Sequence, residues 1–277
     1  MNLNATAFIS SGWDKDEAIN YQLLDSTNAP ERKTIRWYSA TTELPLCGHG
    51  TLAASKVLFT HLTPLEQREG KKTTTIQFET KKKGRLGATI NWENGLITLD
   101  LPSHPCQPVS PFYKDKWGES LISAILGSEE IELCDIQYSP GMKILLLRLK
   151  DELGKKGLQK VCPDVVKMLE IDTKSFIKTV IVTVKGENVE WSDEEVPHFY
   201  SRFFAPWEGI NEDPIAGLAH TVLTPYWTTQ LCQDGEITNL FAVQLSQRGG
   251  EMHCLLQGNR VLLSGIARTT MKGQLCC

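Results

Sequence analysis

One unusual arrangement occurs twice in this chain, and it constrains the fold more than any other feature. Residues 35–60 read IRWYSATTELPLCGHGTLAASKVLFT, and residues 201–227 read SRFFAPWEGINEDPIAGLAHTVLTPYW. Each copy has an arginine with two aromatics, an irregular turn, a glycine, and then an apolar run of small residues. Arg36-Trp37-Tyr38 and Arg202-Phe203-Phe204 have strand composition, while the runs starting at Gly50 and Gly217 fit buried helices. Repetition on this scale predicts two units built alike.

Both glycines fall where a loop enters a helix. A helix N-terminus presents unpaired backbone N–H groups and the positive end of the helix dipole, and glycine lets a ligand approach that backbone. Two such ends make an anion clamp. A single glycine of this kind is explained well enough by packing, but the repetition, with polar groups before each glycine, marks the pair as a candidate site.

The segments after the first helix read as strands at 73–80, 86–92 and 96–101, with Asn94-Gly95 as a hairpin turn. Pro102, Pro105, Pro108 and Pro111 break both helix and sheet, so the boundary is placed near Gln107, giving lobes of 1–107 and 108–277. The second lobe is expected to hold a helix over 117–126, strands at 131–137 and 143–150, a helix over 163–169 opened by Pro163, and a buried strand at 176–184. Beyond the second copy, 240–245 matches the strand at Thr73, and 249–264 matches 84–98. The expected class is α+β, with two pseudo-symmetric lobes, each a curved antiparallel-rich sheet wrapped around a central helix. A ligand would then occupy the cleft between lobes.

Composition excludes several roles. A net charge of −4 over 277 residues offers no basic field to nucleic acid, and Lys81-Lys82-Lys83-Gly84 reads as a solvated turn. No apolar run approaches the roughly 20 residues that span a bilayer, and no secretory signature opens the chain, so a cytoplasmic protein is expected. Eight cysteines without metal-type spacing predict reduced thiols and no metal site. Cys276-Cys277 lacks a basic flank and reads as an incidental pair. No dinucleotide fingerprint or phosphate loop is present, so no cofactor is expected.

Leu44-Pro45-Leu46-Cys47-Gly48-His49-Gly50-Thr51-Leu52-Ala53, Arg202-Phe203-Phe204-Ala205-Pro206, Glu212-Asp213-Pro214-Ile215-Ala216-Gly217 and Arg248-Gly249-Gly250-Glu251 together resemble the PhzF family, also called phenazine biosynthesis-like domain proteins. The likeness covers nearly the whole chain and is strongest to the animal members. The family shares the fold of diaminopimelate epimerase. The resemblance implies isomerisation of a small carboxylate-bearing molecule by a proton shift, with His49 and Asp213 as catalytic residues. It implies substrate binding by Cys47, Gly48, Gly50, Thr51, Gly217 and Leu218. A homodimer and a protein partner are left open.

Three departures bear on that expectation. The family's proton-carrying glutamate lies in a segment of the form Asn-Leu-Ser-Glu-Thr-Ala-Phe, matched here by Asn2-Leu3-Asn4-Ala5-Thr6-Ala7-Phe8, so Ala5 takes its place. Ala216-Gly217-Leu218 replaces the usual Thr-Gly-Ser, losing hydroxyl donors worth roughly 1.5–3 kcal/mol each beside a charged ligand. A first strand with a Gly-Asn-Pro-Ala-Ala-Val motif, usual in the family, has no match before Met1. Cys47 lacks a second-entrance cysteine, which disfavours a two-thiol epimerase and leaves an inert buried thiol as its default. Glu43 is expected to be solvated or to stabilise the turn, Arg36 and Arg202 to be strand-edge or structural ion-pair residues, and His220 to lie in core or cleft. The chain is thus expected to be an impaired isomerase, or else a non-catalytic ligand-binding or protein-interaction member.

Overall fold

A computed structural model describes residues 5–10, 31–39, 43–44, 46–62, 70–81, 84–109, 116–187, 196–231 and 239–273. The polar stretch 11–30, Pro45, Lys82, Lys83 and Cys276-Cys277 lie outside the described residues. Two compact units are present: residues 1–101 with 262–277, and residues 102–261.

In the first unit β1 (Thr6–Ser10) pairs antiparallel with β2 (Glu31–Tyr38), which also pairs with the short β3 (Glu43–Leu44). Helix α1 (Gly48–Val57) follows, its last turn relaxing into a π-helical turn, Leu58–Leu62. The chain then returns as β4 (Thr73–Thr80), parallel to β2, and continues as the antiparallel β5 (Gly84–Asn91) and β6 (Ile97–Pro102). Strict alternation of buried and half-buried residues in β6 gives the sheet one core face, built from Ile35, Ile76, Phe78, Leu86, Ile97 and Leu99. At the hairpin, Gly95 has φ +72°, and its N–H donates to the Asn91 carbonyl at 2.8 Å.

The second unit begins with β7 (Gln107–Pro108), α2 (Lys116–Leu126), β8 (Leu133–Ser139) and β9 (Ile144–Leu149). After α3 (Gly154–Lys160) and α4 (Val165–Glu170) comes β10 (Thr179–Lys185), parallel to β9, then β11 (Phe199–Phe204), antiparallel to β10. Strands β9 and β10 are buried on both faces over most of their length, in keeping with their Leu-, Ile- and Val-rich composition, interrupted by Arg148 in β9 and by Thr179, Thr183 and Lys185 in β10. Leu121 and Ile125 of α2, Leu158 of α3 and Met168 of α4 cover one face. Helix α5 (Gly217–Leu231) leads into β12 (Asn239–Gln244), parallel to β11, and β13 (Gly250–Gln257), antiparallel to β12.

The two units therefore repeat one plan: an antiparallel pair, a helix, a strand parallel to the one before the helix, and an antiparallel continuation. The result is an α+β fold whose sheets are mostly antiparallel. The sequence reading ended the first lobe at Gln107, whereas the compact units divide after Leu101 and the C-terminal residues join the first unit. The reason is β14 (Arg260–Gly265), which lies beside β6, with Thr98 and Ser264 hydroxyls 2.7 Å apart. Among the described residues no helix is long and apolar enough to cross a membrane.

Helix α4 opens on Asp164, whose carboxylate accepts from Lys167 N–H at 3.1 Å, so Pro163 precedes the cap and the expected start shifts by two residues. Helix α5 runs through Pro225, although only its first half was expected to be helical. Proline has no N–H for the Thr221 carbonyl. That carbonyl instead accepts from His104 N–H at 3.0 Å, which satisfies the helix at the point where proline would break it.

Candidate functional site

Each helix entrance is built on an arginine from the strand before it. Arg36 on β2 donates through Nε and Nη2 to both carboxylate oxygens of Glu43, at 2.8 and 2.9 Å. Arg202 on β11 does the same to Glu212, at 2.7 and 3.0 Å. Each guanidinium also lies over the aromatic ring two residues on, 5.3 Å from Tyr38 and 4.9 Å from Phe204. Residues two apart in a strand share a face, so the Arg-x-aromatic pattern brings the guanidinium and the ring within reach of each other. A bidentate pair then fixes the loop entering the helix. Glu43 and both arginines thus take the structural parts expected of them.

At the first entrance Cys47 caps α1. Its extended backbone (φ −142°, ψ 104°) leads into the helix, and its Sγ accepts from Gly50 N–H at 3.4 Å. The Cys47 carbonyl accepts twice from Thr51, from N–H at 3.0 Å and from the hydroxyl at 2.7 Å. Thr51 is fully buried, so its hydroxyl serves the loop from beneath. The His49 ring is half-buried, with Nε2 3.4 Å from Cys47 Sγ. A Cβ on Gly50 would stand 3.0 Å from both Cys47 Sγ and Trp37 Cδ1, so a side chain there would displace one of them. Gly48 and Gly50 are both buried. Ala5 lies immediately before β1, whose Thr6 registers with Tyr38, and β1 packs against α1.

At the second entrance Asp213 is 7% exposed, and its Oδ1 accepts from Ile215 N–H at 3.0 Å. Asp213 therefore closes a turn that ends two residues before Gly217. Gln244, fully buried on β12, holds the same loop from both ends. Its amide donates to the Asp213 carbonyl at 2.6 Å and accepts from Ala216 N–H at 2.8 Å. Ser246 Oγ adds a bond to the Pro214 carbonyl at 2.7 Å. Gly250 makes room for Ile215, whose Cδ1 would lie 2.1 Å from any Cβ there. Gly217 and Leu218 are half-buried at the start of α5.

Sequence reasoning passed over Gln244. Its signal was a lone amide closing the apolar run Leu240-Phe241-Ala242-Val243. His220 is in the core rather than at the surface of α5, fully buried and stacked 6.0 Å from Phe199. Its Nδ1 donates to the Ala216 carbonyl at 2.9 Å, its Nε2 has no partner among the described residues, and burial pushes its pKa down to about 4. The structure therefore gathers Cys47, Gly48, His49, Gly50 and Thr51 at one entrance, and Asp213, Gly217 and Leu218 at the other.

Comparison with known proteins bears on both entrances. The phenazine biosynthesis-like protein family, PhzC-PhzF, matches residues 3–273. The phenazine biosynthesis-like domain-containing protein of Bos taurus is 35% identical over 276 residues, covering 99% of this chain and 85% of the bovine one. A Pseudomonas aeruginosa protein named as an uncharacterized isomerase is 31% identical over 243 residues, 87% of this chain and 77% of its own. A solved PhzF family structure from Enterococcus faecalis superposes with a TM-score of 0.70 at 28% identity, over 100% of this chain and 84% of that one.

Proposed function

The chain belongs to the phenazine biosynthesis-like family, and from that premise we propose that it is a proton-shift isomerase acting on a small carboxylate-bearing molecule, slower than a member with an acidic residue at position 5. The observation that carries this reading is the first helix entrance, where the His49 ring stands 3.4 Å from the Cys47 thiol at the N-terminus of α1 and the Gly50 N–H holds that thiol in place. Removing a proton beside a carboxylate leaves negative charge on the substrate. Helix N-terminal N–H groups stabilise such charge where it develops. The shift moves one proton within one molecule, so it balances without a redox partner. In this reading His49 and Asp213 take part in catalysis and Gly48, Gly50, Gly217 and Leu218 contact the substrate. Ala5 cannot titrate, and the absence of a positioned acid–base there lowers the rate by roughly 10²–10⁴-fold.

The test is deuterium uptake, followed by mass spectrometry, into a panel of small conjugated and amino-substituted acids in D₂O. Measurable uptake with the wild-type chain, raised about 10²-fold or more by Ala5→Glu, is the expected result. A second reading, a ligand binder without turnover, is favoured by one particular feature of the other entrance. There Ala216 N–H is already taken by Gln244, and Leu218 brings no hydroxyl. Saturable binding of a panel acid with no uptake by either chain would select that reading.

A further inference from the structure

Resting on the isomerase reading, we infer that Gln244 is a positioning residue of that reaction. Its side-chain amide sets Asp213 and the first N–H groups of α5 in place, a task that falls to it because Ala216 carries no capping side chain. Gln244 is fully buried on β12, and both ends of its amide are committed to one loop. Its nitrogen donates to Asp213 O at 2.6 Å, and its oxygen accepts from Ala216 N–H at 2.8 Å. A backbone carbonyl only accepts and a backbone N–H only donates, so these partners fix the amide in one orientation. Strand β12 is paired on one side with β11 and on the other with β13, so whatever Gln244 holds is held to the sheet.

The second ground is which donors the loop leaves unspent. A Ser, Thr, Asp or Asn just before a helix would accept from the N–H groups of its first turn. Ala216 stands in that place and has no side-chain acceptor. Its N–H goes to Gln244, and its carbonyl takes the Nδ1–H of His220 at 2.9 Å. Asp213 Oδ1 is used two residues on, by Ile215 N–H. Among the described residues nothing accepts from the N–H of Gly217 or of Leu218, which are half-buried at the start of α5.

The rest of the loop is seated around the same glutamine. Asp213 N–H donates to Phe203 O at 3.0 Å, and Ser246 Oγ donates to Pro214 O at 2.7 Å. Gly250, which registers opposite Gln244, leaves the room that Ile215 fills. Gln244 alone among these contacts reaches both ends of the segment. The consequence belongs to the chemistry. Negative charge that develops on a substrate is stabilised only by donors already aimed at it, and a displacement of about 1 Å can cost about 10²-fold in rate. Gln244 touches no reacting atom in this account and acts through Asp213, Gly217 and Leu218.

Two measurements on the full chain separate the hold from the reaction. Amide hydrogen exchange followed by NMR tests the hold with no substrate present. In wild type the Ala216 amide is expected to exchange at least about 10²-fold more slowly than those of Gly217 and Leu218. Gln244→Met keeps the side-chain length and removes both bonds, and should erase that contrast. Equal exchange at the three amides of wild type overturns the inference, whatever the variants do. Deuterium uptake from D₂O, into the panel acid that wild type labels fastest, tests the role. Gln244→Met is expected to lower the rate at saturating acid by roughly 10–10²-fold and to move KM far less, with thermal unfolding showing the variant folded at the assay temperature. A glutamine that only supports the fold would lower the rate by no more than the fraction unfolded. If Gln244→Met does not fold, Gln244→Glu is read in the same way, since it still accepts from Ala216 N–H but has no proton for Asp213 O at neutral pH. A saturating rate within about twofold of wild type in a folded variant overturns the positioning role and leaves the isomerase reading standing. No uptake by wild type overturns that reading and the role with it, while the exchange contrast still shows whether Gln244 holds the loop.

Discussion

His220 shows how much a single buried ring can set the conditions under which this chain is stable. Its Nδ1–H is bonded to Ala216 O, so Nε2 is the bare nitrogen, and a proton placed there would be a buried charge with no partner. The folded ring titrates near pH 4, and an unfolded one near 6.5. As pH falls the unfolded chain takes up the proton first. The stability attributable to His220 is therefore intact above about pH 6.5 and declines toward pH 4, by an amount on the order of 3 kcal/mol. Denaturant midpoints measured from pH 7 to pH 4.5 are expected to fall more steeply in wild type than in His220→Gln. Equal slopes in the two would show that the ring does not titrate in this way.

Helix α5 depends on a bond from outside itself. An interior proline usually costs about 3 kcal/mol relative to alanine, mostly because a carbonyl one turn back loses its donor. In this helix the affected carbonyl, Thr221 O, is supplied by His104 N–H, and the His104 ring reinforces the contact through Thr221 Oγ1 at 3.0 Å. Pro225→Ala is therefore expected to gain less than about 1 kcal/mol, read from equilibrium unfolding. A gain near 3 kcal/mol would mean that His104 does not relieve the helix. The same comparison marks the limit of what the chain disclosed before its structure. Elements that follow from local chemistry, such as the Asn94-Gly95 turn, the alternating β6 and the glycine starts of α1 and α5, could be read directly. So could the make-up of the first entrance, because Cys47, Gly48, His49, Gly50 and Thr51 are consecutive where the loop enters α1. The continuation of α5 could not, because its donor lies more than a hundred residues away. Gln244 escaped for the same reason, since its two bonds join β12 to a loop that precedes it by a whole helix.

At the scale of the whole chain, the duplicated plan carries its own fastener, and the two copies of that fastener are unequally buried. The side chains of Arg202 and Glu212 are 13% and 25% exposed, against 41% and 25% for Arg36 and Glu43. Arg202 does one thing more. Its Nη1 donates to Val161 O at 2.5 Å, placing a cation at the C-terminal end of α3, where the helix dipole favours it. Lysine keeps the charge but offers neither the fork nor the flat face that stacks on Phe204. Arg202→Lys should therefore cost about 1.5–3 kcal/mol, and the more exposed Arg36→Lys about 0–1 kcal/mol. Each fastener ties a strand to the loop of its own unit, so the loss of protection should be local. Hydrogen exchange followed by mass spectrometry is expected to rise in α3 and β10–β12 for Arg202→Lys, and in β1–β3 for Arg36→Lys. If either substitution loosened both units alike, the clamps would not be local fasteners, and the repeat would be a likeness of form without independent support.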